Sequence, residues 1–211
     1  MPAFTFTPTR IAELVRPYLA PDATVPTPLY EQLATYLDLL LKWNTRTNLT
    51  AIREPEEIVR RHFGESLFAA QHLGECVTLL DFGSGAGFPG LPIQLLWPES
   101  QVTLAESQNK KATFLREIVR TLGLKTEVWA NRVEAMPGPR SFDVVALRAV
   151  DNMEEAVKAA STRATRRLAI MMSAHHAIPS LPGFSLAEEL SQPGDDPLKL
   201  ALLDRNQTHE G

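Results

Sequence analysis

Apolar positions recur at three- and four-residue intervals early in the chain and give way to short unbroken apolar runs from residue 77 onward. Leu29, Leu33, Tyr36, Leu37, Leu40 and Leu41 form one apolar helical stripe. Thr27 followed by Pro28 reads as an N-cap with proline at the first helical position. The stripe ends in residues 43–50, where Asn44, Thr45, Thr47, Asn48 and Thr50 carry side chains that compete for backbone partners. Upstream, Pro2, Pro8, Pro17, Pro21 and Pro26 surround an apolar stretch at 11–19, which predicts a short helix inside a loosely ordered leader. Downstream, residues 55–73 predict further helix, carrying Arg60, Arg61 and His62.

The runs at 77–81, 101–105, 126–129, 142–146 and 168–172 are too short for helices. Helix-like stretches at 91–96, 110–122 and 153–165 separate most of them. Such alternation implies right-handed crossovers and a parallel sheet covered by helices on both faces. After Pro182, strand candidates at 184–190 and 198–204 flank a dense turn signal at 192–197 and predict an antiparallel hairpin at the sheet edge. The expected organisation is α/β: an N-terminal helical extension over 1–75 and a core over 76–211, packed as one compact unit.

Composition narrows the class. With 211 residues and 44% apolar positions, the chain can bury a sizeable core without staples. Its single cysteine, Cys76, excludes a disulfide framework and any CxxC metal knuckle. No apolar run approaches the ~20 residues that span a bilayer, and the first residues lack the pattern of a secretory signal. A cytoplasmic setting without membrane contact is the expectation. The formal charge of −4 argues against a protein that coats nucleic acid over its whole surface, but leaves room for a local basic face. The five histidines show no spacing suited to a metal, and no metal is expected.

Candidate chemistry starts at a glycine loop. Gly83, Gly85, Gly87 and Gly90 fall within eight residues, directly after the first apolar run and before Leu91. A strand turning sharply into a helix against a ligand needs bare backbone, because a Cβ there would collide with that ligand. Gly85, Gly87 and Gly90 also satisfy GxGxxG, so a nicotinamide dinucleotide is one candidate. Asp81 at the strand end would turn a carboxylate toward a pyrophosphate, and Pro89 removes an amide donor from the loop. S-adenosylmethionine, cationic and free of phosphates, suits those two residues better. Glu106 ends the second run, 25 residues after Asp81, where a carboxylate reaches ribose hydroxyls. Val133 and Glu134 follow the third run, where an adenine ring and its edge would lie. Arg148 follows the fourth, at the rim where open parallel sheets bind ligands.

These segments resemble the glucose-inhibited division protein B family, bacterial methyltransferases of guanine N7 in 16S ribosomal RNA. The resemblance rests on the loop from Leu80 to Pro92 with its Gly-Phe-Pro-Gly-Leu-Pro continuation, and on Trp43-Asn44 with the 48–52 segment. His62 with Ser66-Leu67, the 110–116 stretch, Arg132-Val133-Glu134 and Arg148-Ala149-Val150 also agree. It implies a seven-stranded, Rossmann-like methyltransferase sheet with S-adenosyl-L-methionine against Gly83, Phe88, Val133, Glu134 and Arg148, and ribosomal RNA as partner. The sequence departs from the family where a Lys-Gly pair usually follows the fifth strand: here Met171 and Met172 lead into Ser173-Ala174-His175-His176. Glu65 stands where Asp is usual.

The chemistry is compatible with that implication. No Asn/Asp-Pro-Pro-aromatic turn follows the fourth run, and Cys76 lies at the wrong end of its strand for a cytosine nucleophile. Guanine N7 carries a lone pair and no proton, so transfer to it needs placement rather than a general base, and no catalytic residue is assigned. Three basic groups hold 14 of the 21 cations, which supplies candidate phosphate contacts: 42–61, 110–125 and 158–167. A nicotinamide oxidoreductase and a non-catalytic RNA-binding relative with a residual pocket stand as alternatives. A monomer is expected.

Overall fold

The structure, a computed structural model, describes residues 5–150, 152–194 and 198–207. Seven strands form one sheet in the order β3-β2-β1-β4-β5-β7-β6. They are β1 (Thr78–Phe82), β2 (Gln101–Ala105), β3 (Glu127–Trp129), β4 (Phe142–Arg148), β5 (Ala164–Ser173), β6 (Phe184–Ser191) and β7 (Leu198–Arg205). The first five are parallel, and β7 runs antiparallel to both β5 and β6. The predicted hairpin is therefore present, but its second strand is the inner one. The sequence of β7 explains this: Lys199 to Leu203 are all buried, whereas most of β6 is exposed. Residues 195–197 of the predicted turn lie outside the described residues.

Helices α5 (Gly90–Leu96), α6 (Asn109–Thr121) and α7 (Met153–Ser161) connect the parallel strands. Side chains alternate across each strand, so two cores form. Leu79, Val144, Ala169 and Leu202 face one side with α5, α6 and the N-terminal helices. Leu80, Val145, Leu168 and Leu203 face the other with α7. The N-terminal helices are α1 (Pro8–Val15), α2 (Leu29–Asn44), α3 (Pro55–Ile58) and α4 (Glu65–Leu73). They belong to the first core, through Ile11, Leu33, Tyr36, Phe63 and Leu67.

Four local expectations need correction. Of the leader, the described part from residue 5 onward is packed: Ile11, Leu14, Val15 and Tyr18 are buried, because the apolar face of α1 packs on α2 and on residues 59–64. Thr27 does not cap α2; Pro28 occupies that position and no side chain caps the helix. The helix over 55–73 is interrupted by a π-helical turn, Val59–Gly64, between α3 and α4. Helix α7 stops at Ser161, because Ala164 already pairs with Phe142 as the first residue of β5.

Candidate functional site

The carboxyl ends of β1, β2 and β4 meet at one rim. There the strand order reverses direction between β1 and β4, the place where open α/β sheets leave a crevice. A cavity of about 560 Å³ opens there. Its walls include Gly83, Gly85, Phe88, Glu106, Val133, Glu134 and Arg148 from the sequence-derived set. Gly87 does not reach it.

The glycines divide into two kinds. Gly85 has φ +57°, and a Cβ there would have only the Gly83 carbonyl oxygen near it, at 3.9 Å, so its bare side opens onto the cavity. A Cβ on Gly87 would sit 2.6 Å from both Leu91 Cδ1 and the Tyr36 hydroxyl. On Gly90 it would sit 2.5 Å from Leu104 Cδ2 and 2.7 Å from Asp81 Oδ2. Those two glycines exist for close packing of loop, helix and strand rather than for ligand approach.

Asp81 is likewise not at the surface of the site. It is fully buried beneath the loop, with Oδ2 accepting the Gly90 N–H at 3.0 Å. Burial raises its pKa to about 7 against the opposing hydrogen bond from Gly90. Above it, most of the loop's amides are spent inside the protein. Ser84 N–H donates to the Ala105 carbonyl, and those of Gly87 and Phe88 to the Ser84 carbonyl. Gly85 N–H donates to Glu106 Oε2 at 3.0 Å. Pro89 has no N–H, and Gly90 is held by Asp81.

Glu106 is 6% exposed and fixed from two sides, since Oε1 also accepts Gln108 N–H at 2.7 Å. A carboxylate offers about four lone-pair sites, so capacity remains toward the cavity. Val133 and Glu134 begin a single 3₁₀ turn, Val133–Ala135; the valine is buried and the glutamate exposed. The Trp129 indole N–H donates to the Arg132 carbonyl at 2.9 Å and ties that turn to β3.

Arg148 ends β4 and donates through Nη2 to Glu65 and, at 2.8 Å, to the Arg61 carbonyl. The Arg148 and Glu65 side chains are 12% and 5% exposed. Burial pulls the arginine pKa down and Glu65 opposes it. Arg148 Nη1 is buried with no protein partner among the described residues. Glu65 was read in the sequence only as a departure from a motif. Its role as counter-ion depends on the π-helical turn that carries α4 to the rim, which no local pattern predicts.

The same turn delivers His62. Its ring stacks on Phe88 (centroids 4.6 Å apart, 19° between planes), and Phe88 stacks in turn on Tyr36 at 5.3 Å. His62 Nε2 is hydrogen-bonded to Thr50 Oγ1 at 2.7 Å. Burial, then Arg148 and Arg61, hold the imidazole well below its usual pKa and therefore neutral. The Tyr36 hydroxyl donates to the Ala86 carbonyl at 2.5 Å and braces the loop from below. The helical extension thus builds one wall of the cavity.

The family model for rRNA small subunit methyltransferase G (GidB) matches residues 29–177, more than half of the chain. The chain belongs to the GidB family. A ribosomal RNA small subunit methyltransferase G of Chromobacterium violaceum is 45% identical over 132 residues, 62% of this chain and 63% of that protein. Its namesake in Xylella fastidiosa is 44% identical over 144 residues, 68% of this chain and 62% of that protein. The chain thus spans less than two thirds of either relative's length.

This GidB-family chain also shares its fold with solved methyltransferases of low identity. A putative RNA methyltransferase from Pyrococcus horikoshii aligns with TM-score 0.57 at 15% identity, covering 85% of this chain and 98% of that one. The magnesium protoporphyrin IX methyltransferase of Synechocystis, solved with bound SAM, aligns with TM-score 0.51 at 14% identity, covering 92% and 90%. The sheet is accordingly a Rossmann-like methyltransferase sheet.

Proposed function

We propose that this protein transfers a methyl group from S-adenosyl-L-methionine to N7 of a guanine in small-subunit ribosomal RNA. Family membership over residues 29–177 supports the substrate class. The observation that carries the cofactor is the bare face of Gly85 opening onto the cavity between Glu106, Val133 and Arg148. The residues present fit such a group. Glu106 has lone pairs left for ribose hydroxyls, Val133 supplies apolar surface for the adenine ring, and Glu134 meets its edge. Arg148 Nη1 is a buried donor still lacking an acceptor. Bound there, the group supplies a methyl on a positively charged sulfur.

A dinucleotide fits poorly. A pyrophosphate wants free amides at a helix N-terminus, and the N–H groups of Ser84, Gly85, Gly87, Phe88 and Gly90 are already engaged. Because N7 brings no proton to remove, the protein's work is to hold donor and acceptor in line and exclude water. The neutral His62 ring stacked on Phe88 stiffens the wall that does so.

Incubation with methyl-labelled S-adenosylmethionine and small ribosomal subunits, followed by nucleoside mapping, tests the reading. Label in 7-methylguanosine is expected. Label confined to another nucleoside or to protein overturns the assignment.

A further inference from the structure

Eight of the 21 cations pair with carboxylates among the described residues. Arg10 and Arg60 pair with Glu56, Arg61 with Glu57 and Glu65, and Arg140 with Glu127. Arg148, Lys158, Arg167 and Lys199 likewise face carboxylates. Exposed cations with no ion pair among the described residues, such as Arg16, Arg53, Arg132 and Arg205, are scattered elsewhere, but one region gathers four of them. Lys42 near the end of α2, Arg46 just beyond it, and Lys110 and Arg116 on α6 are exposed and carry no ion pair among the described residues. The two helices are pinned side by side: Trp43 packs edge-on against Phe114 with centroids 5.7 Å apart, and Tyr36 stacks on the same ring at 6.4 Å. Basic groups some 65 residues apart in sequence therefore sit on two helices in contact.

That region borders the mouth of the cavity. The chain leaving α2 through Arg46 runs directly into the wall at Leu49, Thr50 and Ile52, and Lys111, next to Lys110, lines the cavity itself. No acidic residue occupies the first turn of α6, so its N-terminal dipole adds to the positive field. The opposite lip has the other sign. It is formed by α7, whose first turn holds Glu155, which lines the cavity, and Glu154, which pairs with Lys158. The mouth is thus polarised in a chain whose formal charge is −4.

We propose that Lys42, Arg46, Lys110 and Arg116 form a docking surface for the phosphate backbone of the RNA strand that flanks the target base. The strand runs along the α2/α6 side of the mouth, while the acidic α7 lip repels it. This rests on the methyl-transfer reading for the identity of the base, but the docking itself is measured without turnover.

The test uses the full chain and a quadruple variant, K42Q/R46Q/K110Q/R116Q. The control is K125Q/R166Q, which removes exposed cations from the ends of β3 and β5 remote from the cavity. Affinity for a small-subunit ribosomal RNA fragment is measured by filter binding across a salt series. Each single-strand phosphate contact contributes about 0.7 to the slope of log K against log salt. The quadruple variant should flatten that slope by nearly 3, while the control changes it by far less. S-adenosylmethionine affinity and melting temperature should stay at parental values, and KM for the RNA should rise with kcat nearly unchanged. An unchanged slope, an equal effect in the control, or no RNA binding by the parent overturns the docking surface. Loss of an acidic protein's binding in place of RNA's does the same. A steep parental slope lost in the variant, without any methylation by the parent, upholds the docking surface and sinks the proposed reaction instead.

Discussion

At the scale of single residues, Gly85 and the buried charges decide most. Valine at Gly85 fills the open side of the loop and forces a β-branched residue to φ +57°, a conformation costing of order 1–3 kcal/mol. Gly85→Val should abolish S-adenosylmethionine binding in a calorimetric titration while circular dichroism shows the fold retained; undiminished affinity would place the cofactor elsewhere. Glu65→Ala removes the carboxylate facing a buried Arg148. Stranding a buried charge costs about 3 kcal/mol, and for a chain of this length the melting temperature should fall by roughly 10 °C. Asp81 sets a pH dependence. Its folded pKa, about 7, lies above the ordinary 3.8, so between pH 4 and 7 the native state keeps a proton that the unfolded chain has lost. The Asp81 contribution to stability is full below about pH 4 and declines as pH rises toward 7. His62 works in the opposite sense below its usual pKa, staying neutral where the unfolded chain protonates. The difference between Asp81→Asn and the parent isolates the first effect. Urea midpoints should show the variant gaining on the parent by at most about 1.4 kcal/mol per pH unit over that window. A flat difference would mean that Asp81 is already ionised throughout.

At the scale of elements, periodicity carried far but not everywhere. The first five strands were legible because each is a short apolar run bounded by polar or glycine residues, and β2 begins and ends where its run does. The exchange of β6 and β7 was not, since their order depends on which strand finds β5, a tertiary choice. Burial now distinguishes them: Leu202 is fully buried on β7, while Leu186 on β6 is 50% exposed. Leu202→Ala should cost 2–5 kcal/mol in denaturant unfolding and Leu186→Ala no more than about 0.5. The π-helical turn escaped for another reason. Its residues, Val59 to Gly64, carry no local pattern that marks a π turn, and Gly64 leaves room for the face of Tyr18, which packs where a Cβ would lie. Within the site, every residue assigned to the cofactor from the sequence except Gly87 lines the cavity, whereas Thr50, Arg61 and His62 in its wall were given no role there. The sequence reading misassigned Asp81, whose carboxylate props the loop from beneath rather than facing a ligand.

At the scale of the whole molecule, the helical extension and the sheet share a continuous apolar core. The cavity between them takes one wall from each: Thr50 and His62 on one side, Glu106 and Val133 on the other. Among the described residues no helix is long and apolar enough to cross a membrane. The central claim is that the bare loop at Gly85 seats S-adenosylmethionine across the carboxyl ends of β1, β2 and β4. A crystal structure of the protein grown with that nucleoside tests it most directly. The account requires its density against Gly85, with the ribose at Glu106 and the adenine on Val133. Density at any other place, or a loop closed over by its own side chains, would contradict it.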